Sequence, residues 1–190
     1  MANNAYLNLW LREFTIEKGF EQLEKLLILF PVSATHPGFR LVVRSLDPGQ
    51  SPSLEADLLA IAADVRATAA EYLHDDTAYE VTAYWDLWSR SAEGEAGWDQ
   101  APSPVEILLR GEEFDDAAFR ETGHLELNLG FDHLYLGPPG EAEPSRHTRA
   151  NARLLHTFLR SLEKEIPVAE RRLWTEGEDE FAARLDALLS

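Results

Sequence analysis

The chain has 190 residues, of which 45% are hydrophobic and 27% are charged, and it contains no cysteine. These proportions are typical of a globular domain rather than a disordered segment. Without cysteine, the chain forms no disulfide, thiolate metal site or cysteine nucleophile. No stretch approaches the 18 apolar residues of a membrane-spanning helix, and the first residues resemble no secretory signal, so we expect a cytoplasmic protein.

The formal net charge of −17 is unevenly distributed along the chain. Residues 1–90 carry a charge of −6, residues 91–144 carry −11, and residues 145–190 are neutral. A negative field of this size repels nucleic acid and anionic membranes, so we expect neither as a partner. It attracts a basic protein, although an acidic surface also serves solubility alone.

The first half of the chain predicts two strand–helix pairs. Residues 6–13 alternate between leucine and polar or aromatic side chains, as in a strand with one buried face. Thr15 is a good N-cap for a helix whose apolar residues recur at helical spacing as far as Pro31. Residues 39–46 alternate again, and the alanine-rich stretch at residues 53–73 predicts a second helix.

Residues 78–89 give the clearest strand signal. Tyr79, Val81, Ala83, Trp85 and Leu87 alternate with larger or more polar side chains, and aromatic and β-branched residues favour strands. Because two strand–helix pairs precede this stretch, we expect right-handed crossovers and parallel strands. The stretch is therefore placed in the middle of a sheet.

The second half predicts antiparallel strands followed by helices. Residues 89–104, rich in small residues and proline, predict a long loop, residues 105–110 a strand and residues 112–121 a short acidic helix. Within residues 123–137 the leucines change from odd to even positions, which predicts a bulge or tight turn between Gly130 and His133.

The remaining chain predicts helices at residues 145–166, 171–174 and 178–189. The first of these has an apolar stripe and, on the far side, the basic residues Arg146, Arg149, Arg153, Arg160 and Lys164. That basic stripe binds an anionic partner, pairs with the acidic middle segment of the chain, or is simply solvated.

Together these elements predict one α+β domain over residues 1–190, built as a two-layer sandwich. Its mixed sheet of five or six strands has helices on one face and a helical C-terminus. We expect a βαβαβ half at residues 1–88, acidic antiparallel strands and loops at residues 89–140, and C-terminal helices at residues 141–190.

The alternation leaves one side of the predicted sheet polar, ionic and rich in large aromatic residues. Its members are Tyr6, Asn8, Trp10, Arg12, Arg40, Arg44, Glu80, Thr82, Tyr84, Asp86, Trp88, Glu106, Arg110, Glu126 and Asn128. Three interpretations apply to this side. Its charges pair across strands in water, the C-terminal helices cover part of it and bury the tryptophans, or it binds a partner through residue types enriched at interfaces.

A metal site has only weak support. His124, Glu126, Asp132 and His133 approach one another if the chain turns near Gly130, and imidazole with carboxylate holds zinc or iron. Their spacing matches no ligand motif. We therefore predict no metal and no cofactor, and keep His124, Asp132 and His133 as weak candidates.

No catalytic signature is present. The chain has no glycine-rich phosphate loop and no Gly-x-Ser-x-Gly elbow. Glu80 and Asp86 are about 20 Å apart on one strand, at about 3.3 Å per residue, which is too far for a carboxylate pair.

The sequence thus favours a non-enzymatic module that binds a basic protein through the polar side of the sheet or the acidic segment 91–144, in a toxin-neutralising or regulatory role. The alternative is a small enzyme or ligand-binding protein with a pocket between that side and the C-terminal helices. The candidate binding residues are Trp10, Arg12, Arg44, Glu80, Tyr84, Asp86 and Trp88.

Overall fold

The computed structural model describes residues 3–45, 51–59, 61–90, 97–138, 143–176 and 180–189. The strands are β1 (Asn4–Leu11), β2 (Phe39–Ser45), β3 (Leu54–Leu58), β4 (Thr77–Arg90), β5 (Trp98–Arg110), β6 (Leu125–Phe131) and β7 (Val168–Thr175). The helices are α1 (Ile16–Leu29), α2 (Ala62–Ala70), α3 (Phe119–Thr122), α4 (His133–Leu136), α5 (Arg146–Glu165) and α6 (Phe181–Leu189). None of these helices is long and apolar enough to cross a membrane.

The described strands form one sheet in the order β3-β2-β4-β5-β6-β1-β7. The α+β class is confirmed, but the prediction of a mixed sheet with five or six strands is wrong, because seven strands pair and every neighbouring pair is antiparallel. β1 and β2 do run in the same direction, as expected, yet three other strands lie between them. The βαβαβ arrangement therefore does not form.

The predicted helix at residues 53–73 is divided into a strand and a shorter helix. Residues 54–58 form β3, in which exposed Glu55 and Asp57 alternate with half-buried apolar residues, and β3 pairs with β2 from Phe39↔Leu58 to Val43↔Leu54. β3 runs opposite to β2, and α2 carries the chain back, so that β4 runs in the same direction as β3 and antiparallel to β2. The alanine content favoured helix, but the free edge of β2 supplies a strand partner.

The loop predicted at residues 89–104 is also wrong in part. β5 begins at Trp98 and pairs with β4 as far as Ala78↔Arg110, while residues 91–96 lie outside the described residues. The prolines at 102 and 104 fit this strand because their nitrogens face away from β4, where no N–H is needed for pairing. The Tyr84 carbonyl accepts from Ser33 N (2.6 Å), away from β5, so Tyr84 and its partner Pro104 form a non-hydrogen-bonded pair and the proline needs no N–H towards β4.

The last predicted helices are partly corrected. Residues 171–174 belong to β7, which pairs with β1 from Leu11↔Val168 to Ala5↔Thr175. The predicted break at Gly130 is present, since Gly130 has a φ of 81° and the chain leaves β6 to enter α4. Of residues 112–121, only the part from Phe119 onward is helical.

The main helices begin where the sequence indicates. Thr15 accepts a hydrogen bond from Lys18 N at the start of α1, and Ser145 accepts one from Thr148 N at the start of α5. Both helices then bury an apolar stripe against the same side of the sheet.

Trp85 on β4 is the centre of this core. It is fully buried, with Phe30 at the end of α1 stacked at 5.4 Å and Phe158 of α5 edge-on at 6.2 Å. Tyr135 of α4 contacts it at 6.1 Å and also contacts Phe181 of α6. One indole thus joins the sheet to helices from both halves of the chain.

Truncation of this indole tests its central position. We expect Trp85→Ala to lower the free energy of unfolding by about 3–5 kcal/mol, because lost burial and a residual cavity add together. Urea denaturation measures the change. The half-buried Trp98 near the end of the β4–β5 hairpin is the matched control, and Trp98→Ala should cost much less. Equal losses would contradict the central position of Trp85.

Candidate binding face

We call the side of the sheet turned away from α1 and α5 the polar face. On β4, the apolar set from Tyr79 to Leu87 is at most 2% exposed, whereas Glu80, Thr82, Tyr84 and Asp86 on the other side are half-buried. Strand pairing extends this division across the sheet, since Thr82 is opposite Arg40. Alternation in the sequence therefore becomes two chemically different surfaces.

The C-terminal helices do not cover the polar face in the described part of the chain. α5 and α6 pack with α1 around Trp85 and Tyr135, on the apolar side. The first two turns of α5 reach Trp88, where His147 lies 4.6 Å from the ring and Asn151 bonds the backbone. The interpretation in which these helices cover part of the face therefore applies to Trp88 at its edge and not to Trp10.

Ion pairs cross neighbouring strands on the half of the polar face formed by β3, β2 and β4. Arg40 Nη2 lies 2.7 Å from Glu55 Oε2, and its Nη1 lies 3.8 Å from Asp57 Oδ1. Arg44 Nε lies 3.2 Å from Glu80 Oε2, so two of the predicted binding residues contact each other. Such solvated pairs are worth about 0.2–1 kcal/mol each, so they order side chains more than they stabilise the fold.

A more buried ion pair lies at the centre of the sheet. Arg110 Nη2 is 3.1 Å from Glu126 Oε1, and Arg110 is only 8% exposed. Glu126 also accepts a hydrogen bond from Asn8 Nδ2 at 3.0 Å. Asn8 is thereby fixed between the charged centre and the aromatic end of the face.

Aromatic rings occupy the other end of the polar face. Tyr6 stacks on Trp174 at 4.9 Å, and the Arg172 guanidinium lies 5.3 Å from the centre of the Trp174 ring. Trp174 Nε1 donates to Asn8 Oδ1, so a buried amide holds the indole. Burial raises the pKa of the Tyr6 phenol, which therefore stays a neutral donor and bonds Glu176 Oε1 at 3.1 Å.

The segment between β5 and β6 borders this aromatic end. Its carbonyls accept from the face, since Trp10 Nε1 donates to Arg120 O at 3.3 Å and Asn8 Nδ2 donates to Thr122 O. The segment carries five exposed carboxylates, which are Glu112, Glu113, Asp115, Asp116 and Glu121. We call it the acidic rim.

Tyr84 and Asp86 form a separate corner of the polar face. Asp86 Oδ1 accepts from Ser33 Oγ at 2.5 Å and its Oδ2 accepts from Ala34 N at 3.0 Å, so this carboxylate fixes the loop between α1 and β2. His36 of that loop lies 4.0 Å from the Tyr84 ring. A cavity of about 280 Å³ opens beside them, and Arg40 also lines it.

The seven candidate binding residues therefore do not form one cluster. Trp10 and the exposed Arg12 lie on or just after β1, which is three strands away from β4 in the sheet. Trp88 lies at the far end of β4, where its backbone N and O bond the side chain of Asn151 at 2.9 and 2.8 Å. Arg44 with Glu80, and Tyr84 with Asp86, form two further small groups.

Sequence reasoning missed Trp174 and Arg172 as members of the polar face. The available signal was the alternation of Glu170, Arg172 and Trp174 with Arg171 and Leu173, directly after a proline. That alternation is short and contains few β-branched residues, so the sequence was interpreted as helical.

The weak metal candidates do not converge. His124 is packed between Phe14 at 4.0 Å and Phe119 at 4.6 Å, and its Nδ1 accepts from Leu11 N at 2.9 Å. His133 stacks on Phe131 instead, and Asp132 accepts a long bond from Asn3 N. Within the described ranges, no group of three histidine or carboxylate side chains is placed to hold a metal ion.

His124 gives the fold a defined pH dependence. Burial lowers its pKa from 6.5 to about 4, so between these values the unfolded chain binds a proton that the folded protein does not. Stability is therefore present above about pH 6.5 and is lost as the pH falls towards 4. The loss is at most about 3.4 kcal/mol, at 1.36 kcal/mol for each pKa unit.

The substitution His124→Gln keeps a hydrogen-bond acceptor but removes the titrating group. We expect it to flatten the dependence of the free energy of unfolding on pH between 6.5 and 4, measured by urea denaturation at several pH values. The exposed His36 is the control, and His36→Gln should leave the slope as it is. A His124→Gln protein with the original slope would contradict the assignment.

The polar face offers paired charges, ordered rings and amide groups on a rigid sheet. No protein family model matches the chain, and neither a curated protein nor a solved structure matches it. The function is therefore argued from the geometry and charge of this face.

Proposed function

We propose that the chain is a non-enzymatic binding module that receives a basic protein on the polar face. The observation that supports this most is the position of the helices. α1, α5 and α6 all contribute to one core on the apolar side, which leaves the rings and carboxylates of the other side accessible. Solubility alone does not require the ordered indoles of Trp10 and Trp174.

The charges of the polar face favour a cationic partner. Three of its arginines are already matched, since Arg40, Arg44 and Arg110 each contact a carboxylate. Exposed carboxylates without an arginine partner in the described residues include Glu106 and Glu170. Glu106 accepts from the Asn128 amide at 3.2 Å, and Glu170 is opposite Trp10 on β1. The acidic rim adds carboxylates along one side, and complementary charge of this kind speeds encounter and selects partners.

The aromatic end supplies the expected centre of binding energy. Tyrosine, tryptophan and arginine dominate interface hot spots, and Tyr6, Trp10 and Trp174 lie within two adjacent strands. Hydrogen bonds to Asn8 and Arg120 already hold the two indoles. Because these rings are ordered before binding, less side-chain entropy is lost on association.

An acidic protein that covers a basic partner suits a neutralising or regulatory role. Such a role requires no nucleophile, metal or cofactor, and it is consistent with an ion-paired sheet as the contact surface. Neutralisation of a basic toxin and inhibition of a basic enzyme both belong to this class.

A second candidate function rests on the cavity beside Tyr84. Its 280 Å³ volume and its lining by His36, Arg40, Asp57 and Tyr84 suit a small polar ligand. This cavity lies under the loop between α1 and β2, away from the C-terminal helices that the sequence suggested. Ligand screening by NMR distinguishes the two functions, because a ligand of this cavity shifts the His36 ring signals and loses affinity in Tyr84→Ala.

Charge reversal on the face tests the main proposal. We expect the immobilised chain to capture a basic protein from cell extract at low salt, with release as salt rises. The double variant Glu106→Lys/Glu170→Lys should weaken this capture about tenfold. Removal of the stacked indole in Trp174→Ala should cost about 2 kcal/mol or more of binding.

The control lies on the helix side of the molecule. Glu71 is exposed at the end of α2, and Glu71→Lys changes the net charge without touching the polar face. Circular dichroism checks that all variants fold. Equal capture of the same protein by the face variants and the parent chain would refute the proposed face, and no salt-sensitive capture at all would refute the basic partner.

A further inference from the structure

Helix α5 carries a line of basic side chains on its solvent side, which we call the basic ridge. All five of its members are exposed, and they are Arg146, Arg149, Arg153, Arg160 and Lys164. They span about 27 Å of helix at about 1.5 Å per residue. The opposite stripe of α5, including Leu155, Phe158 and Leu162, is buried in the core.

The acidic rim does not neutralise this ridge. Among the described residues, Arg149, Arg153 and Arg160 have no carboxylate within ion-pair distance, whereas Lys164 contacts only its neighbour Glu165. The acidic rim bonds the polar face, and α5 packs on the other side of the same sheet. The sheet therefore separates the acidic rim from the basic ridge, and within the described residues no ion pair joins the acidic middle segment to the ridge.

The arrangement opposes the stability of α5 itself. Arg149 and Arg153, like Arg160 and Lys164, are like charges four residues apart and repel each other. Arg146 and Arg149 also lie in the first turn, which contains no acidic residue, although the helix dipole favours anions there. In a chain of net charge −17, solubility does not require these cations, so they indicate an anionic partner.

A cavity beside the ridge offers a partly apolar contact. It has a volume of about 330 Å³ and lies between α5, β7 and α6. Leu159, Leu173 and Leu185 contribute its apolar lining, and charged side chains line the rest, among them Arg160, Arg171, Glu163 and Asp186. Glu163 is already paired with Arg171 at 2.8 Å. A partner that lies along the ridge can place an apolar side chain here.

We infer that the basic ridge binds a short acidic segment of a partner protein, with an apolar side chain of that segment in the cavity. This contact is separate from the polar face and does not depend on it. The ridge is about as long as eight extended residues at about 3.3 Å each. Glu143 precedes it and Glu165 follows it, so a long polyanion such as nucleic acid would continue onto repulsive surface.

A defined peptide tests the inference. The probe is a fluorescent eight-residue peptide of six glutamates with two central leucines, followed by fluorescence anisotropy. We expect binding that weakens as salt rises and that Arg153→Glu/Arg160→Glu weakens about tenfold, because each reversed charge replaces an attraction by a repulsion. A peptide with glutamine in place of the leucines should bind several-fold more weakly.

The matched control is Lys25→Glu, since Lys25 is exposed on α1 and lies outside the ridge. It should leave binding unchanged, and circular dichroism checks the fold of each variant. Absent binding of the acidic peptide, or binding that the ridge variant leaves unaltered, would overturn the inference.

Two further probes distinguish other anionic partners. Equal or tighter ridge-dependent binding of single-stranded DNA with the same charge would replace the protein segment by nucleic acid and overturn the inference. A second copy of the chain would be the partner, and the inference overturned, if two results came together. A peptide with the sequence of residues 111–121 would bind more tightly than the probe, and the chain would sediment as an oligomer that dissociates in the ridge variant. Weaker binding of both probes than of the leucine-containing peptide supports the inference.

Discussion

The pairing of β4 with β5 is the constraint on which the rest of the structure depends. It runs without a break from Ala78↔Arg110 to Arg90↔Trp98. Because side chains alternate along a strand, a slip of one residue would expose Trp85 and bury Asp86. The buried indole therefore fixes the register, and the register decides which side of every neighbouring strand meets the helices. An open polar face follows from that choice.

Elements with a strong repeating pattern were predictable, and elements that depend on distant partners were not. β1, β2, β4, α1 and α5 each repeat burial over several periods, so their sequences alone identify them. β3 and β7 are strands because the edges of β2 and β1 accept them, and β7 lies some 160 residues from its partner in sequence. Local propensity does not contain that information. The antiparallel order follows from the same long-range pairings.

The candidate site was likewise predictable where it depends on local alternation and not where it depends on distant contacts. The side of the sheet that bears Tyr84, Asp86 and Trp10 was predictable from alternation. Their partners were not, because Ser33 and Arg120 reach them from loops whose paths the sequence does not specify. Two residues with an assumed binding role thus have backbone or loop contacts that organise the fold. His124 was misjudged for a related reason, since its burial depends on Phe14 and Phe119.

The prolines of β5 have a consequence for the behaviour of the protein in concentrated solution. β5 pairs with β6 only from Glu106 onward, so in the described chain the outer part of β5 has no strand beside it. Its successive outward-facing positions are Pro102 and Pro104, which have no N–H to offer. A second strand that approaches this edge finds no donor at these two positions. The hairpin can therefore extend beyond the sheet without seeding edge-to-edge aggregation.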